Sequence, residues 1–152
     1  SDVGSSDLKE EKMELQDRKC VMILNEELPA GVLANAAGIL GITLGKQVPD
    51  TIGPDICDKN GRQHLGIVAL PVPVLKADKE KLKAIREKLF QPEFADCVVV
   101  DFTDVAQSCQ NYEDYIARAA GTGEEEVTYL GIGICGARKK VNRLSGSLPL
   151  LR

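Results

Sequence analysis

Short apolar runs alternate with helix-spaced segments along this chain, and this alternation limits the folds that are open to it. Residues 19–25 and 96–102 are nearly continuous aliphatic runs, which is typical of strands buried on both faces. A third run, residues 127–135, interleaves glycines with aliphatic residues. The order of strand, helix, hairpin and strand, helix, strand, helix, strand predicts an α/β domain with a mostly parallel sheet.

Aliphatic spacing and capping residues predict three helices. The first covers residues 30–44, whose alanines and glycines leave room for close neighbours. Asp78 and Asn111 stand at the N-cap positions of the second and third helices, where their side chains would accept hydrogen bonds from backbone N–H groups. Pro92 ends the second helix, and Gly121 ends the third.

A hairpin is predicted between the first two helices. Asn60 and Gly61 form a dipeptide that favours a tight turn, so residues 55–57 and 63–70 would pair around it. We expect the second arm to continue as a core strand and to end at Pro71, which has no backbone N–H to donate.

The composition fits one globular domain and excludes several classes of function. The chain has 152 residues, of which 43% are hydrophobic and 28% are charged, so one core is expected. It has no Trp and few other aromatic residues, which argues against a stacking platform for single-stranded nucleic acid. A net charge of −4 gives no overall field that would attract a phosphate backbone.

The polar start of the chain and its cysteines indicate domain bounds, compartment and metal content. Residues 1–17 are polar and charged, so we expect a flexible tail before a single domain at residues 18–152, and Met13 is a candidate natural start. The five cysteines form no C-x-x-C pair and His64 is the one histidine, so we expect no metal site. Without a secretory segment or an apolar run of about 18 residues, we expect a cytoplasmic protein with no membrane partner.

Three glycines in the last apolar run have the G-x-G-x-x-G spacing of dinucleotide-binding loops. Gly131, Gly133 and Gly136 lack the context of that motif, which needs an acidic ribose partner about 20 residues further on, whereas no acidic residue follows Glu126. We therefore expect no cofactor. The glycines instead predict a flat strand face against which a helix packs closely.

Polar residues at the ends of two predicted strands form a candidate site, here called the predicted crevice. Asn25 and Glu27 lie at the end of the first strand, while Asp101 and Thr103 lie at the end of the run at 96–102. Ligands of open α/β sheets bind beyond the carboxyl ends of strands, so these side chains would lie together. Asp101 or Glu27 would act as a general base if burial raised its pKa toward neutrality. The alternative is that these residues cap turns and solvate loops.

Two other polar features are candidates for ligand contact. Asn35 is the strongly polar residue in the middle of the first helix, where it either faces solvent or hydrogen-bonds a neighbouring loop. Arg138, Lys139, Lys140 and Arg143 form the densest basic cluster of the chain. This cluster is either a solvated face or a site for a phosphate or an RNA backbone.

Two segments together resemble a known superfamily. Residues 20–44, CVMILNEELPAGVLANAAGILGITL, resemble the opening strand and helix of the type II peptidyl-tRNA hydrolase-like superfamily. Residues 129–151 resemble its closing strand, turn and tail, including Leu-Gly-Ile-Gly at 130–133 and Leu-Ser-Gly-Ser-Leu at 144–148. The chain is closer still to a branch of that superfamily described as a domain of unknown function. The resemblance implies a three-layer α/β/α sandwich around a small mixed sheet, often assembled as a dimer.

The resemblance also implies a catalytic pattern, from which this chain departs. True hydrolases of the superfamily cleave the ester that joins a peptide to tRNA, and they carry a lysine after a glycine at the start of the first helix. Gly31 fits the glycine, but Val32 stands at the lysine position. Asp101 fits the family aspartate, whereas Val105 stands at the following threonine unless Thr103 replaces it. Losing the ammonium removes about 3 kcal/mol of electrostatic stabilisation, so we expect no peptidyl-tRNA hydrolysis.

The sequence supports three hypotheses of function and leaves open whether the protein is an enzyme. The first is a protein that binds a small-molecule ligand in the predicted crevice. The second is a hydrolase of aminoacyl or peptidyl esters such as peptidyl-tRNA, with Asp101 or Glu27 as the base and Lys139 or Lys140 in place of the lost cation. The third is a structural or assembly protein whose apolar tail, residues 148–151, packs across a homodimer partner.

Overall fold

A four-stranded sheet with helices on both faces forms the centre of the computed structural model, which describes residues 13–152. The strands are β1 (Arg18–Asn25), β2 (Ile56–Cys57), β3 (Gln63–His64), β4 (Val74–Ala77), β5 (Val98–Thr103) and β6 (Tyr129–Ala137). The helices are α1 (Ala30–Gln47), α2 (Lys79–Leu89), α3 (Asp104–Ser108), α4 (Tyr112–Ala120) and α5 (Arg138–Ser145). The α/β class predicted from the sequence is confirmed.

The central sheet is mixed, with the strand order β4-β1-β6-β5. Within residues 13–152, β1 and β4 form its one parallel pair, because β6 runs antiparallel to both β1 and β5. The prediction of a mostly parallel sheet is therefore wrong. A strand buried on both faces has the same apolar sequence pattern whether its neighbours are parallel or antiparallel, so the pattern cannot give strand direction.

Each face of the sheet has its own hydrophobic core. On one face, α2 and α5 bury side chains against β1 and β6, and the buried residues there include Val21, Ile23, Leu82, Ile85, Ile132, Ile134 and Val141. On the other face, α1 packs against the sheet, and the buried residues include Met22, Leu24, Leu40, Leu44 and Phe102. Alternate residues of β1 thus serve opposite cores, as the period of a strand requires.

Glycines in β6 bring α1 close to the sheet. A Cβ atom added to Gly131 would lie 2.7 Å from Leu24 Cδ2 and 3.0 Å from Leu40 Cδ1. A Cβ atom added to Gly133 would lie 3.0 Å from Leu44 Cδ1. The predicted flat strand face is confirmed, since no larger residue fits between β6 and α1 without displacing these side chains.

The predicted N-caps also occur in the structure. Asp78 Oδ1 accepts the backbone N–H of Lys81 over 2.7 Å, and α2 begins at the next residue after the cap. Asn111 Oδ1 accepts the backbone N–H of Asp114 over 2.8 Å at the start of α4. Both predictions succeeded because an N-cap depends on residues within one helical turn.

The predicted hairpin forms, but its second arm is short. Asn60 and Gly61 make the turn, with Gly61 at a φ of 79°, and β2 pairs with β3. The expectation that this arm continues as a core strand to residue 70 is wrong. The core strand is β4, which starts after Pro73 and lies parallel to β1. A strand interrupted by Pro71 and Pro73 lacks the backbone donors that a continuous central strand needs.

The end of the chain pairs with β4. Lys76 donates its N–H to Pro149 O over 2.9 Å, and Leu151 donates its N–H to Val74 O over 2.9 Å. The tail that was expected to pack across a partner therefore lies on its own chain. At the other end, residues 1–12 of the predicted flexible tail lie outside the described residues, while Leu15–Asp17 forms a 3-10 turn. Within residues 13–152, every helix is too short or too polar to span a bilayer.

Candidate functional site

An ion pair on the α2 face of the sheet marks the candidate site. Arg86 of α2 donates from Nε to Oδ2 of Asp101 in β5 over 2.7 Å. The two side chains are 12% and 23% exposed, so water screens the pair only in part. The guanidinium carbon of Arg86 also lies 3.8 Å from the centroid of the Phe90 ring, one helical turn further on. The carboxylate and the ring together fix the position of the guanidinium.

A cavity of about 600 Å³ opens beside this ion pair, and we call it the Asp101 cavity. Its polar lining includes Asp101, Thr103, Tyr115, Tyr129, Glu87 and Glu124. Its apolar lining includes Phe90, Val105, Ala119 and Val127. These residues come from α2, β5, the segment of α3 and α4, and the start of β6, so the cavity exists only in the folded chain.

Two tyrosines of this cavity are held in their neutral form. Burial raises the pKa of Tyr115 above its usual value of 10.0, and the negative charge of Asp101 raises that pKa further. Burial and the same carboxylate also raise the pKa of Tyr129, although Arg86 acts in the opposite direction. Both phenols therefore keep their protons at neutral pH and can donate hydrogen bonds into the cavity.

Thr103 and Asn25 lie at the strand ends where the sequence placed them, and each makes a local hydrogen bond. Thr103 is buried, lines the Asp101 cavity and accepts the N–H of Ala106 on Oγ1 over 3.3 Å as the cap of α3. Asn25 is buried at the end of β1, where its Oδ1 accepts the N–H of Glu27 over 3.0 Å. Asn25 thereby closes the turn that leads into α1.

Two other predicted residues lie on the surface. The side chain of Glu27 is exposed, and so is that of Asn35 in α1. Neither lines the Asp101 cavity. Of the two alternatives for Asn35, the structure shows the solvent-facing one.

The two lysines proposed as replacements for the lost cation lie far from Asp101. Asp101 is opposite Ile132, and β6 continues to Ala137 before α5 begins, which is about 17 Å at 3.4 Å per residue. Lys139 is exposed at the start of α5, and Lys140 Nζ lies 2.8 Å from an Asp96 carboxylate oxygen. The cation beside Asp101 is Arg86 instead.

The four residues of the basic cluster lie on α5. Arg138 donates to the Gln16 carbonyl oxygen, and Arg143 lies 2.8 Å from a Glu93 carboxylate oxygen. Three of the four cations of this cluster therefore contact neighbouring segments of the same chain. The structure also places no group of three or more His, Cys, Asp or Glu side chains for a metal ion within residues 13–152.

The sequence offered no clear signal for Arg86, Tyr115 or Tyr129. Arg86 is one of seven charged residues in α2, and the two tyrosines look like ordinary amphipathic positions in a helix and a strand. Helical spacing gave only a weak indication, since Arg86 lies four residues after the buried Leu82 and three before the buried Leu89 and is therefore close to the core. Its partner could not be identified without the position of α2 relative to β5.

Comparison with known proteins places the chain in a family. Residues 18–152 match the family described as "Protein of unknown function (DUF2000)". The chain belongs to the DUF2000 family. The predicted similarity to a family described as a domain of unknown function is thereby confirmed. No curated protein matches this DUF2000 chain.

A solved structure shares the fold of this DUF2000 domain. It is a protein of unknown function from Agrobacterium tumefaciens strain C58, with a TM-score of 0.79 and 17% sequence identity. The similarity covers 88% of this chain and 97% of the other. At this identity the comparison shows a common fold, and the function has to be argued from the site.

Proposed function

We propose that the protein binds a small organic amine with an apolar body in the Asp101 cavity. The observation that carries the proposal is the charge of the lining. Asp101, Glu87 and Glu124 contribute carboxylates, and no Lys or Arg of the described residues lines the cavity. When the positive charge of the nearby Arg86 is set against Asp101, the carboxylates of Glu87 and Glu124 still line the cavity. A positively charged ligand is therefore favoured over an anion.

The shape and polarity of the cavity suit a ligand of this kind. Its volume of about 600 Å³ lies within the usual range for small-molecule sites. Phe90, Val105 and Val127 offer an apolar wall for the body of the ligand. The phenol groups of Tyr115 and Tyr129 can donate hydrogen bonds to an oxygen of the ligand, and their rings can contact an ammonium group.

A titration with matched ligands tests this proposal. Phenethylamine, its neutral alcohol analogue and its carboxylate analogue have similar apolar bodies and differ in charge. We expect the amine to shift the amide NMR signals of Thr103, Tyr115 and Tyr129, and the carboxylate to cause no saturable shift. Glu124→Gln should weaken the amine by about tenfold, whereas Glu113→Gln, outside the cavity on α4, should leave binding unchanged. Equal binding of all three ligands would contradict the charge argument.

A second candidate is hydrolysis of an aminoacyl or peptidyl ester, which the Arg86 and Asp101 pair favours. Arg86 lies 2.7 Å from the Asp101 carboxylate and supplies a positive charge that Val32, at the lysine position, does not. In this reaction Asp101 would take a proton from water while the water oxygen bonds to the ester carbonyl carbon. The acyl C–O bond would then break, and Asp101 would return the proton to the leaving alkoxide, which gives the acid and the alcohol. An N-acyl aminoacyl ester should then turn over, and Asp101→Asn should abolish its turnover. A rate equal to that of buffer alone would remove this candidate.

We also propose the finer relationships that the sequence suggested. A mixed sheet with helices on both faces supports a type II peptidyl-tRNA hydrolase-like fold for this DUF2000 domain. A homodimer in the cytoplasm is the proposed assembly and location, and RNA contact through the exposed Lys139 is the alternative partnership. Sizing by light scattering tests the dimer, and a filter-binding assay with tRNA tests the RNA contact.

A further inference from the structure

The edge strand β5 presents unused hydrogen-bonding groups. Met22 in β1 donates its N–H to Pro73 O, and Glu26 donates to Ala77 O, so the even-numbered residues of β1 direct their backbone groups to β4. The odd-numbered residues then face β6. The even-numbered residues of β6 therefore bond to β1, and its odd-numbered residues face β5. In the register of β5 with β6, the residues of β5 that bond to β6 are Val98, Val100 and Phe102. The N–H and C=O groups of Val99 and Asp101 therefore point away from the sheet.

The two edges of the sheet differ in this respect. At the β4 edge, the outward groups of Val74 and Lys76 bond to residues 149–151 of the tail. At the β5 edge, no backbone or side-chain partner within residues 13–152 bonds to the outward groups of Val99 and Asp101. An open edge with three consecutive valines is a feature that proteins usually cover, shorten or charge. Because the β5 edge is open and lies beside a groove, we expect it to pair with another strand.

A groove of about 550 Å³ runs along this open edge, and we call it the β5 groove. Residues 99–102 form its floor, Ile39 and Thr43 of α1 line one side, and Tyr112 and Tyr115 of α4 line the other. Asp101 and Tyr115 also line the Asp101 cavity, so the two spaces adjoin each other at these side chains.

We propose that the β5 groove binds an extended peptide segment of a partner protein, which pairs with β5 as a fifth strand of the sheet. The proposal does not depend on the amine site. Val99 and Asp101 together offer two backbone donors and two backbone acceptors. The two residues are about 6.8 Å apart along the strand, which matches the repeat of an extended peptide backbone. The β5 strand has six residues, about 20 Å, which sets the length of peptide that can pair with it.

The lining of the β5 groove indicates the chemistry of that peptide. Ile39 and Tyr112 offer apolar surface on opposite sides, so aliphatic residues of the peptide would pack between them. Asp101 lines the floor with Oδ2 bonded to Arg86 and with Oδ1 left to accept a hydrogen bond, so the ammonium group of a lysine is favoured over a carboxylate. A peptide that alternates aliphatic and basic residues fits both requirements.

A second copy of this chain fits the groove less well than a single strand does. The groove has α1 on one side and α4 on the other, which leaves room for one added strand between them. A second sheet would have to bring its own α1 and α4 against the same two helices. Edge-to-edge dimerisation is therefore one of the outcomes that would overturn the proposal.

Amide hydrogen exchange and peptide titration test the inference. The probes are acetyl-Val-Lys-Val-Lys-Val-Lys-amide and the same peptide with every backbone nitrogen methylated, which has no N–H on either edge to donate to β5. In the free protein we expect the amide protons of Val99 and Asp101 to exchange fast, while those of Val100 and Phe102 are protected. The unmodified peptide should protect Val99 and Asp101, and the methylated peptide should not.

Two variants on the same helix separate the groove from the general surface. Ile39→Glu should weaken the peptide by about tenfold, because it places a carboxylate in the apolar wall. Ile42→Glu is the matched control, since Ile42 is 77% exposed and lies outside the groove. Slow exchange of Val99 and Asp101 in the free monomer, equal binding of both peptides, no binding at all, or protection that appears only with dimer formation would each overturn the proposal.

Discussion

Arg86 and Asp101 are linked across the α2 face of the sheet by a hydrogen bond of 2.7 Å between Nε and Oδ2. One side chain comes from a helix that is mostly solvated, and the other from the middle of an edge strand. Asp101 also lines the Asp101 cavity. The hydrogen bond from Arg86 therefore fixes the position of this carboxylate and reduces the negative charge that a ligand in the cavity would meet.

The losses of stability caused by removing Arg86 and by removing the Asp101 carboxylate should not be additive. Arg86→Met leaves the partly buried carboxylate of Asp101 without its donor, so we expect the free energy of unfolding to fall by about 2 kcal/mol. With Asp101→Asn added, the loss should be smaller than the sum of the single losses by about 1 kcal/mol. Urea unfolding of the four proteins of the cycle measures this. Arg143→Met, at an exposed pair, should cost less than about 1 kcal/mol. Additive losses at the first pair would show that it contributes no coupling.

The capping residues of α2 could be predicted from the sequence, whereas its functional residue could not. Asp78 and the N–H that it accepts are three residues apart, so the local sequence contains the whole interaction. Arg86 and Asp101 are fifteen residues apart in sequence and lie on different elements. Their contact depends on β6 lying between β1 and β5, which places β5 at the edge beside α2. Strand order of this kind depends on packing of the whole chain, and no local pattern records it.

The charge of Asp101 should be visible in the ionisation of two tyrosines. The pKa values of Tyr115 and Tyr129 are raised by burial and then by the Asp101 carboxylate, so Asp101→Asn should lower both pKa values part of the way toward 10.0. Because the folded-state values are raised, the stability that these phenols contribute is complete below the unfolded pKa. It is lost as the pH rises through the folded-state values.

Ultraviolet absorbance of the phenolate during an alkaline titration measures this change, with Tyr115→Phe and Tyr129→Phe to assign the signals. Asp96→Asn is the control, since Asp96 pairs with Lys140 at the other end of β6. If Asp101→Asn left both tyrosine values where they were, burial alone would account for the shifts.

Adding a methyl group should destabilise the protein at Gly131 and stabilise it at Gly38. Gly131→Ala places a Cβ 2.7 Å from Leu24 Cδ2, so we expect a loss of about 1–3 kcal/mol from overpacking. Gly38→Ala, in the interior of α1, meets no atom within 4 Å and should stabilise the protein by about 0.5–1 kcal/mol. Thermal or urea unfolding compares the two. Stabilisation by Gly131→Ala would mean that α1 lies further from the sheet than the structure places it.

Three cysteines lie in apolar strands or beside one, and their burial differs. Cys20 and Cys135 are buried opposite each other in the antiparallel pair of β1 and β6, whereas Cys97 is only partly buried. The sequence could not show that the two thiols meet, because the register of β1 with β6 is a property of the folded sheet. Cys57 lies in the hairpin arm and is exposed.

Thiol labelling should separate these cysteines sharply. A hydrogen bond with Cys135 and burial raise the pKa of Cys20 well above its usual value, so its reactive thiolate form is suppressed. At mildly alkaline pH we expect Cys57 to react first with a disulfide reagent, and Cys57→Ser to remove that fast phase. Because labelling of Cys20 needs opening of the sheet, its rate should be slower by about 1,000-fold or more and should rise with added urea. Mass mapping of the labelled peptides assigns each phase, and fast labelling of Cys20 in the native protein would contradict its buried, protonated state.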